Sequence, residues 1–396
     1  MPPAPARLLS AILASTLPAL TGNLAAAQDS VVVADNPDRP ATVLRLADVA
    51  VFLIGAADGP DEYRFHDIRG AQRMPDGGVA VMVAGEYEVR RFGPRGQHLW
   101  SRGERGEGRG QFRSFPKLLR ACGSDDSVVV YDIYLHRITV FNADGEITGS
   151  HGLSLDGSSP YSMTCAPNGR YVLSNWGDVP EDSLGPHRWN VSLAFRDRNN
   201  LRPVWIREGV PGSDRVFSGT LGESGSDYPR TWGRRVVFAA TDEGVWMATG
   251  DDYSVEFLDW TGNTRKRVRW HGRSVGITVA HVDALYDQRL AAAGSADHRF
   301  ERRWRFERGN LPDRFPTISS LLLADDGHLW VEHYPRPGES REWYVFDPDG
   351  RLVRAVEVPA GAEVQDAGAD WVVLSITDDL GAERVGLYEL LTREVP

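Results

Sequence analysis

The sequence predicts an all-β chain folded as a six-bladed β-propeller, closed by pairing an N-terminal strand with the C-terminal blade. Three observations lead there: a recurring turn signal, a four-strand unit that returns along the chain, and a tail that is one strand short. The 396 residues are 41% hydrophobic, with frequent Gly (41) and Pro (24) and abundant aromatics, the composition of many short strands joined by tight turns.

The turn signal has two forms. An apolar strand runs into Asp, Asn or Gly at Phe92–Gly96, Phe141–Gly145, Leu258–Gly262 and Phe346–Gly350, with a degenerate copy at Phe195–Asn199. These residue types suit hairpins because the backbone there often needs positive φ. A second turn precedes each: Met74–Gly77, Gly123–Asp126, Ala166–Gly169, Thr241–Gly244 and Ala324–Gly327. An apolar run follows every one of them, such as Val79–Val83 and Leu329–Val331. The order is strand, turn, strand, link, strand, turn, strand. It recurs roughly every 40 to 60 residues, with one longer interval, which is propeller-blade spacing.

From the N-terminus, Arg7, the apolar stretch Leu8–Leu20 and Ala25–Ala27 read as a signal peptide over residues 1–27. Residues 28–41 read as a linker, and a single propeller domain spans 42–396. No later segment is long and apolar enough to span a bilayer, so the expected location is periplasmic or secreted after cleavage near Ala27. Blades begin near His66, Phe115, Tyr161, Arg235 and Thr317. Thr278 to about Phe306 breaks the β rhythm: Val282, Leu285, Tyr286 and Leu290 follow helical spacing, Thr278 is a plausible N-cap, and Gly294-Ser295 divides a helical insert at about 278–308. That insert is either a lid or packing across one face. The sixth blade has three strands, Ala362–Ala367, Trp371–Ile376 and Val385–Leu390. Thr42–Ile54, read as extended, supplies the fourth and removes two open sheet edges.

Gly106–Phe112, Phe115-Pro116, Val128–Asp132 and Arg137–Phe141 resemble an NHL-type repeat: a Gly-rich entry loop, a Pro, a strand ending in Asp, and an R-I-x-V-F strand. The match is good in the second blade and partial in the first, at Val89–Phe92. Over its length the chain resembles exported bacterial six-bladed propellers with NHL-like repeats, a largely uncharacterised group. The resemblance implies fold and compartment and carries no activity with it.

The net charge of −11 disfavours nucleic acid, whose phosphates an acidic chain repels. The Gly-rich stretch 103–110 lacks phosphate-loop spacing and reads as an inter-blade link. Asp347–Gly350 and Asn142–Gly145 lack the late Glu of a calcium loop and read as hairpin turns. Gly222–Gly225 is a near miss for a serine nucleophile elbow and reads as a flexible turn. No zinc spacing exists among the histidines. Cys122 and Cys165 each precede the second strand of their blades by six residues. In a rotational repeat, matching positions point the same way around the ring, which favours two buried thiols. A disulfide stays open, because sequence does not settle pairing and an oxidising compartment permits it.

First strands start near the central channel, so polar residues there are the candidate ligand-binding set: His66, Asp67, Lys117, Tyr161, Arg235 and Glu363. A wet channel also carries solvated polar residues with no such role. The regular repeat without a catalytic motif points to a non-catalytic binding or scaffold module for a protein, peptide or glycan. The alternative is a metal-dependent small-molecule hydrolase, because propellers resembling gluconolactonases and arylesterases hold a divalent metal, Ca²⁺ or another, at the channel mouth. They use Glu, Asn and Asp from several blades, and Asn is scarce at the strand starts here. A third possibility is a structural subunit of an envelope assembly.

Overall fold

The structure, a computed structural model, describes residues 31–392 apart from 121, 123–125, 154–159, 161, 177–184, 198–199, 219–225 and 379–380. The leader read at 1–27 and Tyr161 lie outside the described residues, as do Gly222–Gly225 and parts of the turns at Gly123–Asp126 and Phe195–Asn199.

Three short strands come first: β1 (Val32–Asn36), β2 (Val43–Leu46) and β3 (Phe52–Ile54). Unit one is β4 (Ile68–Arg73), β5 (Val79–Val83), β6 (Glu88–Phe92) and β7 (His98–Arg102). Unit two is β8 (Pro116–Leu119), β9 (Val128–Asp132), β10 (Arg137–Phe141) and β11 (Ile147–Gly152). Unit three is β12 (Ser162–Cys165), β13 (Tyr171–Trp176), β14 (Gly185–Asp197) and β15 (Asn200–Ser218), with β16 (Ser226–Pro229) added at its outer edge. Unit four is β17 (Val237–Ala240), β18 (Gly244–Ala248), β19 (Ser254–Asp259) and β20 (Thr264–Trp270). Helices α1 (Val279–Ala293) and α2 (His298–Gly309) follow. Unit five is β21 (Ile318–Leu323), β22 (Leu329–His333), β23 (Arg341–Phe346) and β24 (Leu352–Val358). Unit six is β25 (Ala362–Ala367), β26 (Trp371–Thr377) and β27 (Glu383–Thr392).

Each unit is an antiparallel meander. Second strands such as Val79–Val83 and Val128–Asp132 are buried at every residue. Their sequence is apolar almost throughout because neighbouring units pack on both faces. The first strands touch in cyclic order, β4, β8, β12, β17, β21, β25 and back to β4. Each gap between neighbouring units holds its own apolar cluster. Phe112, Leu118 and Val130 fill the one between units one and two, and Val83, Phe92 and Val373 the one between six and one. The chain is therefore an all-β propeller. Its hairpins sit where the turn signals placed them. Gly145 donates to Asn142 O at 3.0 Å with φ +79°, and Gly350 to Asp347 O at 2.8 Å with φ +86°, conformations a Cβ disfavours.

The ends of the described chain meet as predicted. β2 pairs antiparallel with β27, Leu44 opposite Thr392, and β3 pairs with β27, Ile54 opposite Val385. β2 also lies parallel to β24, so it bridges units five and six into one continuous sheet. The helical insert is also where it was expected. The Thr278 side chain accepts from His281 N, and Gly294 in the left-handed region ends α1.

Three features differ from expectation. Val32–Asn36, inside the stretch 28–41 read as linker, is a strand that covers the free edge of β20 in parallel. Asn36 pins it by donating to Arg269 O (3.1 Å) and Gly350 O (3.0 Å) and accepting from Leu352 N (2.8 Å). In unit three, β14 and β15 run to 13 and 19 residues and extend past the disc as a flap joined by β16. Finally, Cys122 and Cys165 form a disulfide, Cα–Cα 5.1 Å, which overturns the reading of two buried thiols. The reason is local. Cys165 is the last residue of β12, whereas β8 ends at Leu119. The longer turn of unit two carries Cys122 off its strand, so equal counts back from the second strands mark unequal places.

Candidate functional site

The six first strands enclose a channel of about 740 Å³, lined at its polar end by Arg69, Lys117, Ser162, Arg235, Ser319 and Glu363. The position that recurs is the second residue of a first strand. Arg69, Lys117, Ser319 and Glu363 all hold it, and Arg235 stands two residues before β17. Alternation then buries the next residue between units, as Leu118 and Ala362 show on either side of this position. Register shifts reinforce the aim. β4 is irregular between Ile68 and Ala71, β21 between Ile318 and Ser320, and β25 between Val364 and Asp366. Bulges of this kind redirect side chains at sheet rims.

Charge is distributed unevenly around the wall. On units five and six, Arg341 lies 3.3 Å from Glu332 and 3.3 Å from Glu363. Glu332 is buried and accepts from Ser319 Oγ at 2.5 Å. Desolvation raises its pKa; the Arg341 charge and the Ser319 hydrogen bond oppose this without cancelling it. On units one, two and four the wall is cationic. Arg69 Nε reaches Asp67 Oδ2 at 2.8 Å. Lys117 and Arg235 have no hydrogen-bond or ion-pair partner among the described residues. Lys117 sits deep in the disc, and that desolvation, then the charges of Arg235 and Arg69, lower its pKa below the ordinary lysine value. Its side chain is nonetheless exposed to the channel, so water reaches the amine and moderates the loss of solvation.

At the far ends of the first strands, Arg120 and Asp366 span the axis. Arg120 Nη1 donates to Asp366 Oδ1 (2.8 Å) and Leu323 O (2.7 Å), and Arg73 N donates to Asp366 Oδ2 (2.9 Å). Units one, two, five and six are tied there. Burial raises the Asp366 pKa despite these partners.

At the strand-start end, the flap and the helices stand over the rim. Arg188 pairs with Asp251 (2.8 Å) and Asp214 with Arg234 (2.9 Å). The Tyr228 ring meets Phe306 of α2 with centroids 6.4 Å apart, and Arg230 Nε donates to Asn310 O at 2.7 Å. Leu285, Phe300 and Trp304 form a small core under which Trp232 packs.

Of the six sequence candidates, the channel brings together Lys117, Arg235 and Glu363. His66 and Asp67 stand just outside the lining, both exposed, with His66 Nδ1 2.6 Å from Glu86 Oε1. Tyr161 is outside the described residues. Arg69, Ser319, Glu332 and Arg341 were missed. Arg69 was within reach of the pattern, because it occupies the register position of Lys117. Glu332 and Arg341 come from second and third strands, where the repeat gives no cue. As to a divalent metal, no group of three or more His, Cys, Asp or Glu side chains among the described residues could hold one. The channel carboxylates Glu332 and Glu363 already share Arg341, so the donor set does not fit the metal-dependent reading.

This closed ring of antiparallel sheets around a polar channel is a β-propeller with a ligand-sized central cavity. The chain matches no known family profile and no curated protein. Among solved structures it is similar to a candidate exported protein from Bacteroides fragilis, at 10% identity and TM-score 0.50, covering 92% of this chain and 100% of that one. It is also similar to a member of the DUF4221 family from Bacteroides vulgatus (10% identity, TM-score 0.49, 89% and 99% coverage). A third is the calcium-binding protein regucalcin from Agrobacterium tumefaciens (12%, 0.41, 90% and 98%). At these identities the likeness concerns the fold alone.

Proposed function

We propose that this chain is an exported six-bladed propeller with NHL-like repeats that serves as a non-catalytic ligand-binding module, with its ligand seated in the channel. The observation that carries the reading is the pair Lys117 and Arg235, two charged side chains facing a cavity of about 740 Å³ with no partner among the described residues. Two cations without an internal partner, facing one water-filled cavity, offer a ready site for an anionic group. A volume of this size is ordinary for a small-molecule site. The binding set is Lys117, Arg235 and Glu363 from the strand starts, extended by Arg69 and Ser319, with His66 and Asp67 at the approach. A periplasmic or secreted location accords with the leader read at 1–27 and with the Cys122–Cys165 disulfide.

The test is to fill the channel. Purified protein is screened by native mass spectrometry against small molecules extracted from its host. Ser319→Trp is compared with wild type after circular dichroism shows both folded. A retained ligand lost in the Trp variant supports the reading; retention unchanged by the obstruction refutes it. Metal analysis of the same sample decides the hydrolase alternative, which requires a stoichiometric divalent cation held by channel side chains.

A further inference from the structure

Resting on that channel-binding reading, we infer that the channel selects a small doubly charged oxyanion, a phosphoryl group or a pair of carboxylates carried on a compact polar body, held between Lys117 and Arg235 with Arg69 beside them. What carries this is pairing. The chain as a whole is strongly acidic, −11, yet its channel has the opposite sign. The negative groups there already have ion-pair partners: Asp366 pairs with Arg120, and Glu332 and Glu363 share Arg341, with the Arg235 charge also felt at Glu332. Arg69 is answered by Asp67. Lys117 and Arg235 remain, two cations lining the same channel with no ion-pair or hydrogen-bond partner among the described residues, near enough that the Arg235 charge is felt at the Lys117 amine. Two cations held near each other repel; a dianion placed between them relieves the repulsion and gains charge-assisted hydrogen bonds. The donors also complement one another. Lysine offers a compact charge with three rotatable donors, and arginine a planar fork suited to two oxygens.

The residue choice is telling. The chain has 44 basic residues, of which only Lys117 and Lys266 are lysines. Lys266 serves the surface, donating to Pro348 O at 2.6 Å. The neutral groups facing the same space, Ser162, Ser320 and Gln365, provide hydrogen bonds for the rest of a molecule larger than a bare ion. An acidic exterior around a cationic funnel also concentrates the field in the channel rather than spreading it over the surface.

The experiment uses inorganic phosphate, succinate and glucose 6-phosphate as probes and glucose as the neutral control. Binding to the full chain is followed by isothermal titration calorimetry at low ionic strength in Tris. At least one dianion is expected to bind one-to-one, at least ~10-fold more weakly in Lys117→Gln and in Arg235→Gln and more weakly again as salt rises. A second readout avoids any question of folding in the variants. With two lysines in the chain, amine-directed labelling read by mass spectrometry reports Lys117 directly, and the bound dianion protects it while Lys266 stays reactive. Failure of every dianion to bind below 10 mM, or dianion binding that leaves Lys117 labelling and both variants unaffected, overturns the inference. Glucose binding that Ser319→Trp abolishes, with no dianion competing, overturns the charge assignment while the channel-binding reading survives. Dianion binding that survives Ser319→Trp fails both.

Discussion

Breaking the Cys122–Cys165 disulfide tests how much of the ring's stability comes from one covalent link between units two and three. The two cysteines lie 43 residues apart in sequence. In the loop-closure treatment, releasing a loop of that length returns about 4 kcal/mol of conformational freedom to the unfolded chain. Both sulfurs are buried, and the surrounding cluster includes Leu119, Tyr131, Met163 and Leu173. Cys→Ala at both positions therefore removes little packing beyond the sulfurs themselves. Urea unfolding of three samples isolates the covalent contribution: native protein, native protein with reductant, and the Cys122→Ala/Cys165→Ala variant. Reduced protein and variant should share a midpoint well below that of the native sample, and reductant should leave the variant unmoved. Thiol titration of the denatured, unreduced protein should find no free thiol. Equal midpoints for all three samples would refute the reasoning, as would two titratable thiols.

Other outcomes follow from the same structure. Asp366→Ala removes the acceptor for Arg120 and Arg73 N and should cost ~3–5 kcal/mol in urea unfolding, because a partly buried guanidinium is left alone; Arg120→Met added to it should recover part of that loss. Gly70 has φ +122°, and a Cβ there would stand 2.8 Å from Leu118 Cβ. Gly70→Ala should therefore lower the thermal midpoint and weaken channel binding through Arg69, whereas Gly152→Ala, with open space around it and no left-handed backbone, should do much less. Glu332 gives a pH signature. Its folded pKa lies above the unfolded value, so the folded state keeps the proton to higher pH. The penalty of ionising it is absent below the unfolded pKa and complete above the folded one. The stability of wild type relative to Glu332→Gln should decline as pH rises through that window, and a difference that grows with pH would contradict the burial argument.

The propeller was legible because each hairpin turn needs Asp, Asn or Gly, and because second strands, packed on both faces, are mostly apolar. Val128–Asp132 and Val79–Val83 announce themselves this way. The missing strand of the last unit was legible by subtraction. The first edge strand was not: Val32–Asn36 belongs to no repeat, and its role is to cap β20. The flap was hidden because β14 and β15 exceed the blade period without a turn signal to mark where the disc ends. For the site, Lys117, Arg235 and Glu363 followed from strand starts. His66 and Asp67 were three and two residues short of Arg69, since β4 begins at Ile68 and its bulge turns Arg69 into the channel. Glu332 and Arg341 reach the axis from strands whose sequence pattern speaks only of burial and pairing. The cysteines show the same limit, since a count along the chain cannot see that one turn is longer than the next.

The latch formed by β2 has a consequence for biogenesis. Leu44 docks against Val356 on one side and Thr392 on the other, so a strand made early must wait for two made much later. Until then the edges of β24 and β27 that it covers lie open to strands of other molecules, and pairing over so long a stretch is slow. A copy of this protein is thus most vulnerable to misassembly before β2 has paired, and a chaperone holding the early segment would protect it during that delay.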